Sequence, residues 1–200
     1  MIRILLAEDQ QMLRGALALL LDLEDDIEVV GQACDGEEAL SLISSLQPDV
    51  SLLDIEMPLK TGLDVAEQLK KLGSPCKVII LTTFARPGYF ERAVKADIQG
   101  YLLKDGPIDK LAESIRRVIQ GHREISPELI FGTIKDKNPL NAREREILSL
   151  SAQGKSAHEI AAVLHLSYGT VRNYISESLN KLEARNRIEA ISMAEEKGWL

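Results

Sequence analysis

Residues 49–54, Asp49-Val50-Ser51-Leu52-Leu53-Asp54, set a short aliphatic run between two carboxylates. A run this short and this apolar reads as a strand buried on both faces, and a carboxylate at its end lies where the chain leaves the sheet. Working outward, the same unit recurs. Ile2–Ala7, Ile27–Ala33, Val50–Leu53, Lys77–Leu81 and Gly100–Leu103 are strand candidates, each followed by an amphipathic stretch. Strands alternating with helices predict an α/β fold, a doubly wound five-stranded parallel sheet with helices on both faces.

The last helix of this series places Ile108, Leu111, Ile115, Val118 and Ile119 at helical spacing, and Gly121 is its stop. Residues 122–138 contain Ser126, Pro127 and Asn138 and show little periodicity, which predicts a linker. After it no strand-like run occurs. Residues 139–200 read as an all-α domain of four helices, at 142–152, 157–164, 169–182 and 187–197. Asn141 with Glu144 makes a capping box, and Ser167 caps the third helix. The predicted domains are therefore 1–121 and 139–200.

Composition narrows the function. The 200 residues are 45% hydrophobic and 28% charged, which excludes a disordered or low-complexity chain. The net charge of −7 excludes bulk attraction to nucleic acid, so any such contact must be local. Residues 1–125 carry 14 basic and 21 acidic side chains, whereas residues 126–200 carry 10 of each, leaving the second domain room for a basic face. The longest apolar stretch, 16–21, is far below the roughly 18 residues of a membrane span. No secretory leader is read at the N-terminus, and the cytoplasm is the expected location. Cys34 and Cys76 have neither disulfide nor zinc spacing and are expected to be small buried hydrophobes.

Glu8 and Asp9 follow the first strand and Asp54 follows the third. In an open doubly wound sheet the carboxyl ends of neighbouring strands face one crevice, so three carboxylates converge there. Their mutual repulsion is relieved by a hard divalent cation, and Mg²⁺ takes one or two carboxylates together with water and a phosphate oxygen. Thr82 and Lys104, after the fourth and fifth strands, add a hydroxyl and an ammonium suited to phosphate oxygens. Singly, each residue serves equally well as a helix cap or a solvated charge. Together, at successive strand ends, they read as a phosphoryl site.

The runs "LLAEDQQMLRGAL", "SLLDIEMPLKTGLD", "VIILTTFA" and "GYLLKD" resemble the bacterial response-regulator receiver domain over residues 1 to about 120. The resemblance implies a flavodoxin-like fold, Asp54 as phospho-acceptor, and Glu8, Asp9, Asp54 and the Glu56 carbonyl as Mg²⁺ ligands. It further implies Lys104 as phosphate clamp and Thr82 and Tyr101 as switch residues. Phosphorylation would draw Thr82 inward, Tyr101 following into the vacated space. Asp105 replaces the proline that follows the lysine in many relatives, which leaves the geometry of that loop open. Phe84 and Glu56 flank the site and are expected to tune phosphoryl lifetime.

In the second domain, Ala157–Leu164 and Gly169–Leu182 are joined by His165-Leu166-Ser167-Tyr168, which is helix-turn-helix spacing. Val171, Ile175, Leu179 and Leu182 form one apolar stripe, leaving Arg172, Asn173, Ser176 and Asn180 on the rest of the surface, solvated or available to a major groove. The run "LNAREREILSLSAQGKSAHEIAAVLHLSYGTVRNYISESLNKLEARNR" resembles the LuxR-type output domain. A receiver joined to it is the NarL/FixJ arrangement. This implies a non-enzyme that binds double-stranded promoter DNA. Arg172 and Asn173 would be base contacts; Thr170, Ser176, Lys181 and Arg187 would hold the backbone. Tyr174 and Ser176 depart from residues common in relatives, so the recognised sequence does not carry over. Ile188, Ile191 and Met193 of the final helix are expected at a dimer contact.

The stretches "TTFARPGYFERAVKA", "TVRNYIS" and "NRIEAI…EKGW" are similar to DesR-type regulators within that class. That implies a membrane thermosensor histidine kinase as phosphoryl donor, a fatty-acid desaturase promoter as target in response to cold or membrane fluidity, a homodimer on phosphorylation, and RNA polymerase as a further partner. Leu13, Leu17, Ile115 and Val118 are either core or one face of that dimer. Two other readings remain: a Mg²⁺-dependent phosphatase-like enzyme, although no GxxxxGK[ST] cradle is present, and a phosphorylation-independent interaction module.

Overall fold

The structure, a computed structural model, describes residues 1–83, 86–129 and 138–200; Phe84 lies outside them. They form two compact units, one of residues 1–83 and 90–129 and one chiefly of residues 138–200.

The first unit is a parallel sheet of β1 (Ile2–Ala7), β2 (Ile27–Ala33), β3 (Val50–Asp54), β4 (Lys77–Thr82), β5 (Gly100–Leu103) and β6 (Glu124–Ile125), in the order β2-β1-β3-β4-β5-β6. It carries α1 (Gln11–Leu21), α2 (Gly36–Leu46), α3 (Gly62–Lys71), α4 (Pro87–Lys95) and α5 (Ile108–Ile119). The expected strands are all present. The count of five is corrected to six: Glu124 and Ile125 extend the sheet, with the Glu124 amide donating to Gln99 O and the Ser126 amide to Tyr101 O, both at 3.0 Å. Two residues are too few to leave a periodic signal, and only pairing with β5 makes them a strand. They lie in the segment expected to be linker, and Leu129 beyond them is fully buried.

β3 is buried at every position, as its composition requires, and Ser51 satisfies its buried hydroxyl by donating to Lys77 O at 3.3 Å. One face of the sheet packs Ile4, Leu6, Leu52, Ile79 and Leu81 against Leu21, Ile115 and Val118. Ile115 and Val118 are therefore core; Leu17 packs against that cluster and Leu13 is half-buried. Cys76 is buried as expected, but Cys34 is exposed, because it lies in the loop after β2 where its amide donates to Glu38 rather than to a strand neighbour.

The second unit comprises α6 (Ala142–Ala152), α7 (Ala157–Leu164), α8 (Tyr168–Leu182) and α9 (Arg187–Glu196). Its N-termini are set by side chains, since each helix leaves its first amides without intrahelical acceptors. Asn141 and Glu144 cap each other's amides reciprocally, Ser156 and Glu159 do the same, and Ser167 accepts from Thr170 N. Glu144 is also fully buried and takes both oxygens to Lys181 Nζ, at 2.7 and 2.8 Å, so one carboxylate starts α6 and fastens it to α8. Two small cores result, Leu140, Leu148, Leu182, Ala190, Ala194 and Trp199 in one, Ile147, Ile160, Ala161 and Val171 in the other.

Gly62 ties fold to site. Its amide donates to Ile55 O at 3.2 Å, and a Cβ built there would lie 2.1 Å from Asp54 O. No side chain fits between the start of α3 and the end of β3. Gly62→Ala is expected to destabilise the sheet unit by about 1–3 kcal/mol, read as a lower urea midpoint; an unchanged midpoint would show that this approach is not enforced.

Candidate functional site

Strand register assembles the site. Ala7 lies opposite Leu53, Asp54 opposite Leu81, and Thr82 opposite Leu103, so Glu8, Asp54, Thr82 and Lys104 all emerge at one edge of the sheet. The strand order reverses direction between β1 and β3, and this is where an open α/β sheet leaves a crevice. Glu8 and Asp9 stand on one side of it and Asp54 on the other.

Glu8, Asp9 and Asp54 each offer a carboxylate oxygen, and the three lie within 4.8 Å of one another. Glu8 and Asp54 are buried, at 1% and 5% exposure, while Asp9 faces solvent. Lys104 Nζ bridges the buried pair, 2.7 Å from Glu8 Oε2 and 2.8 Å from Asp54 Oδ1. Glu8 is held further by the Gln10 amide, which donates to its Oε1 at 3.2 Å, and by Arg14 Nη1, which donates to its backbone carbonyl at 2.5 Å. Burial pushes the Glu8 carboxyl above the usual range; the bond from Lys104 opposes that push and the Asp54 charge reinforces it. For Lys104, burial alone would weaken the ammonium, but the pairs with Asp54 and Glu8 together outweigh it and hold its pKa up.

The donor set fits a hard cation. Three carboxylates within 4.8 Å supply oxygen alone, the preference of Mg²⁺, and Lys104 occupies only one oxygen of Glu8 and one of Asp54. Arg14 carries no mark of its tethering role in the sequence; only the turn from β1 into α1 brings it back to Glu8 O.

Thr82 closes β4 and is buried, and its carbonyl accepts from the Lys104 amide at 2.9 Å, so the residues expected as switch and clamp share a backbone link. Tyr101, expected to move inward, is already inside at 1% exposure, its ring 5.8 Å from that of Phe90 on α4. The Glu56 side chain is exposed. Among the described residues there is no cis peptide bond, so the loop from Lys104 through Pro107 is all trans.

In the helical unit, α7 ends at His165 in the left-handed region, φ 54°, and Ser167 opens α8, a three-residue turn. Of the six expected DNA-contact residues, Arg172, Asn173 and Ser176 are exposed on α8, opposite buried Val171 and Ser178. Thr170 is half-buried, its hydroxyl 2.8 Å from that of Ser167. The other two are engaged within the unit: Lys181 with Glu144, and Arg187 donating to Ser151 O at 3.1 Å and Lys155 O at 2.7 Å. Ile188 is 81% exposed on α9, while Ile191 packs against the core. Tyr168, expected in the turn, is the first residue of α8, and its ring stacks on His158 from α7. Its spacing from Arg172 is visible in the sequence, but the approach of His158 is not.

Comparison with known proteins agrees with this division. The response regulator receiver domain matches residues 4–116, and the luxR family of bacterial regulatory proteins matches residues 138–194. The transcriptional regulatory protein YvfU of Bacillus subtilis is 62% identical over 200 residues, covering all of both chains. The transcriptional regulatory protein DesR of the same organism is 58% identical over 199 residues, covering 100% of this chain and 99% of that one. Among solved structures, the response regulator ChrA of a heme-sensing two-component system is 35% identical, with a TM-score of 0.59, covering 100% of this chain and 98% of that one. The chain therefore belongs to the response regulators with a LuxR-type output domain, two-component regulators of transcription similar to DesR.

Proposed function

We propose that Asp54 accepts a phosphoryl group from a sensor histidine kinase, and that its modification promotes dimerisation and binding of promoter DNA by α8. The observation that carries this reading is the Lys104 ammonium held between Glu8 and Asp54 with Asp9 within reach. Glu8, Asp9, Asp54 and the Glu56 carbonyl are the residues that would hold Mg²⁺, which when bound neutralises phosphoryl oxygens. An Asp54 oxygen forms the bond to phosphorus as the bond from phosphorus to the donor imidazole breaks, the imidazole leaving with the electron pair. Lys104 exchanges Glu8 for a phosphoryl oxygen, and the Thr82 hydroxyl donates to another. The added charge of about −2 acts on Thr82. Tyr101, packed on Phe90, passes the change to α4 and β5.

This chemistry is confined to the chain's own modification and its hydrolysis; no other substrate is turned over. Glu56 sits two residues beyond Asp54 and is the described residue placed to tune the lifetime of the acyl phosphate. The proposed boundary between the two domains lies between Leu129 and Pro139, a reading supported by the pairing of β6 with β5 and by the grouping of residues up to 129 with the sheet unit. On DNA, Arg172 and Asn173 read base edges while Thr170, Ser176, Lys181 and Arg187 position the backbone, the last two once their internal partners are exchanged for phosphates. The cytoplasm is the proposed location. The DesR likeness supports a desaturase promoter, a cold- or fluidity-sensing kinase and contact with RNA polymerase; YvfU is more similar, at 62% identity against 58%, and promoter selection from genomic fragments separates the two.

Labelling with acetyl phosphate and Mg²⁺ is expected to mark the wild-type chain once and Asp54→Ala not at all. Mass and duplex affinity should both rise with beryllofluoride and Mg²⁺; equality with and without it in both measurements overturns the reading. Asp9→Asn is expected to raise the Mg²⁺ concentration for half-maximal labelling by about tenfold or more, the scale seen when a metal site loses a supporting group. An unchanged requirement would remove Asp9 from the metal shell.

A further inference from the structure

His158 and Tyr168 lie on different helices, and their rings stack with centroids 4.1 Å apart and planes 11° from parallel. Both residues are exposed, and neither belongs to the two apolar cores of the unit. Arg172 follows Tyr168 by four residues, one helical turn, and its Cζ lies 5.9 Å from the centroid of the Tyr168 ring. Imidazole and guanidinium thus both contact the phenol ring at the N-terminal end of α8.

The contact of Arg172 with the Tyr168 ring differs from what holds the other cations nearby. Lys181 spends its ammonium on Glu144, and Arg187 spends guanidinium N–H groups on two carbonyls. A ring face attracts a guanidinium through its quadrupole and takes up none of its five N–H donors. An arginine held this way keeps its planar fork for the bidentate pairing with a guanine edge that discriminates bases. His158, stacked on the same ring, limits the tilt of the phenol, so the platform is fixed from α7.

From this geometry we infer that Tyr168, backed by His158, is a positioning residue for DNA recognition, holding the Arg172 guanidinium for base readout. The inference rests on the reading of α8 as the DNA-facing helix and adds to it a determinant of specificity.

The test uses the full chain with beryllofluoride and Mg²⁺ and duplexes selected from a random-sequence pool. Affinity for the best selected duplex and for a scrambled one is measured for wild type, Tyr168→Phe, Tyr168→Ala, His158→Ala, Arg172→Ala and the Tyr168→Ala/Arg172→Ala double variant. Tyr168→Phe keeps the platform and should keep the selected-to-scrambled ratio. Tyr168→Ala should lower that ratio about three- to fivefold, the range of an exposed cation–π contact, while leaving scrambled-duplex affinity unchanged. His158→Ala should lower it less. In the Arg172→Ala background the tyrosine change should have no further effect. An unchanged ratio in Tyr168→Ala, a full drop that persists without Arg172, or an equal loss on both duplexes overturns the inference. If the wild-type chain enriches no duplex, the DNA-facing reading itself fails, and the inference fails with it.

Discussion

Two carboxylates that are almost fully buried cannot stand side by side without a cation, and Lys104 is that cation. Its ammonium touches Glu8 and Asp54 at hydrogen-bond distance from a position 50 residues or more away in sequence. In a medium of reduced dielectric the repulsion between Glu8 and Asp54 and the cost of desolvating each act together, and removing their partner would leave both uncompensated. The parallel register of β1, β3, β4 and β5 ends these strands at one edge and so brings those three groups together. Much of the rest secures that edge. Gly62 lets α3 begin against Asp54 O, Arg14 fixes the Glu8 backbone, and the Thr82 carbonyl anchors the Lys104 amide. The same pairing that stabilises the site leaves Lys104 an ammonium that could exchange a carboxylate oxygen for one of an incoming anion.

The elements that were legible in the sequence are those whose signal is local. β3 announces itself because burial on both faces forces an unbroken aliphatic run, and the caps at Asn141 and Ser167 because capping needs particular residue types at fixed offsets. What escaped is nonlocal. β6 is a strand only by pairing with β5, and Cys34 is exposed because its loop turns away from the sheet. The carboxylate set, Thr82 and Lys104 could be named from strand ends, but the Lys104 bridge to Glu8, the Arg14 tether and the burial of Tyr101 against Phe90 required the folded register. Lys181 shows the same limit. Its place near the end of α8 reads as an available charge, and only the fold brings Glu144 beneath it.

That internal engagement bears on how the two units cooperate. The chain carries a net charge of −7, and of the three cations expected at DNA, Lys181 and Arg187 are bonded inside the helical unit. Affinity for a duplex grows with the number of phosphates neutralised, so one copy brings little electrostatic attraction and must also break existing pairs to use those two. In the proposed dimer, two copies would double the phosphate contacts and share a single loss of rotational freedom, with recognition helices reaching half-sites about one DNA turn, roughly 34–36 Å, apart. On the proposed mechanism, weak binding by one copy is the condition for control: only where the interaction of each copy is insufficient alone would an event at Asp54 that promotes association also set occupancy of the promoter.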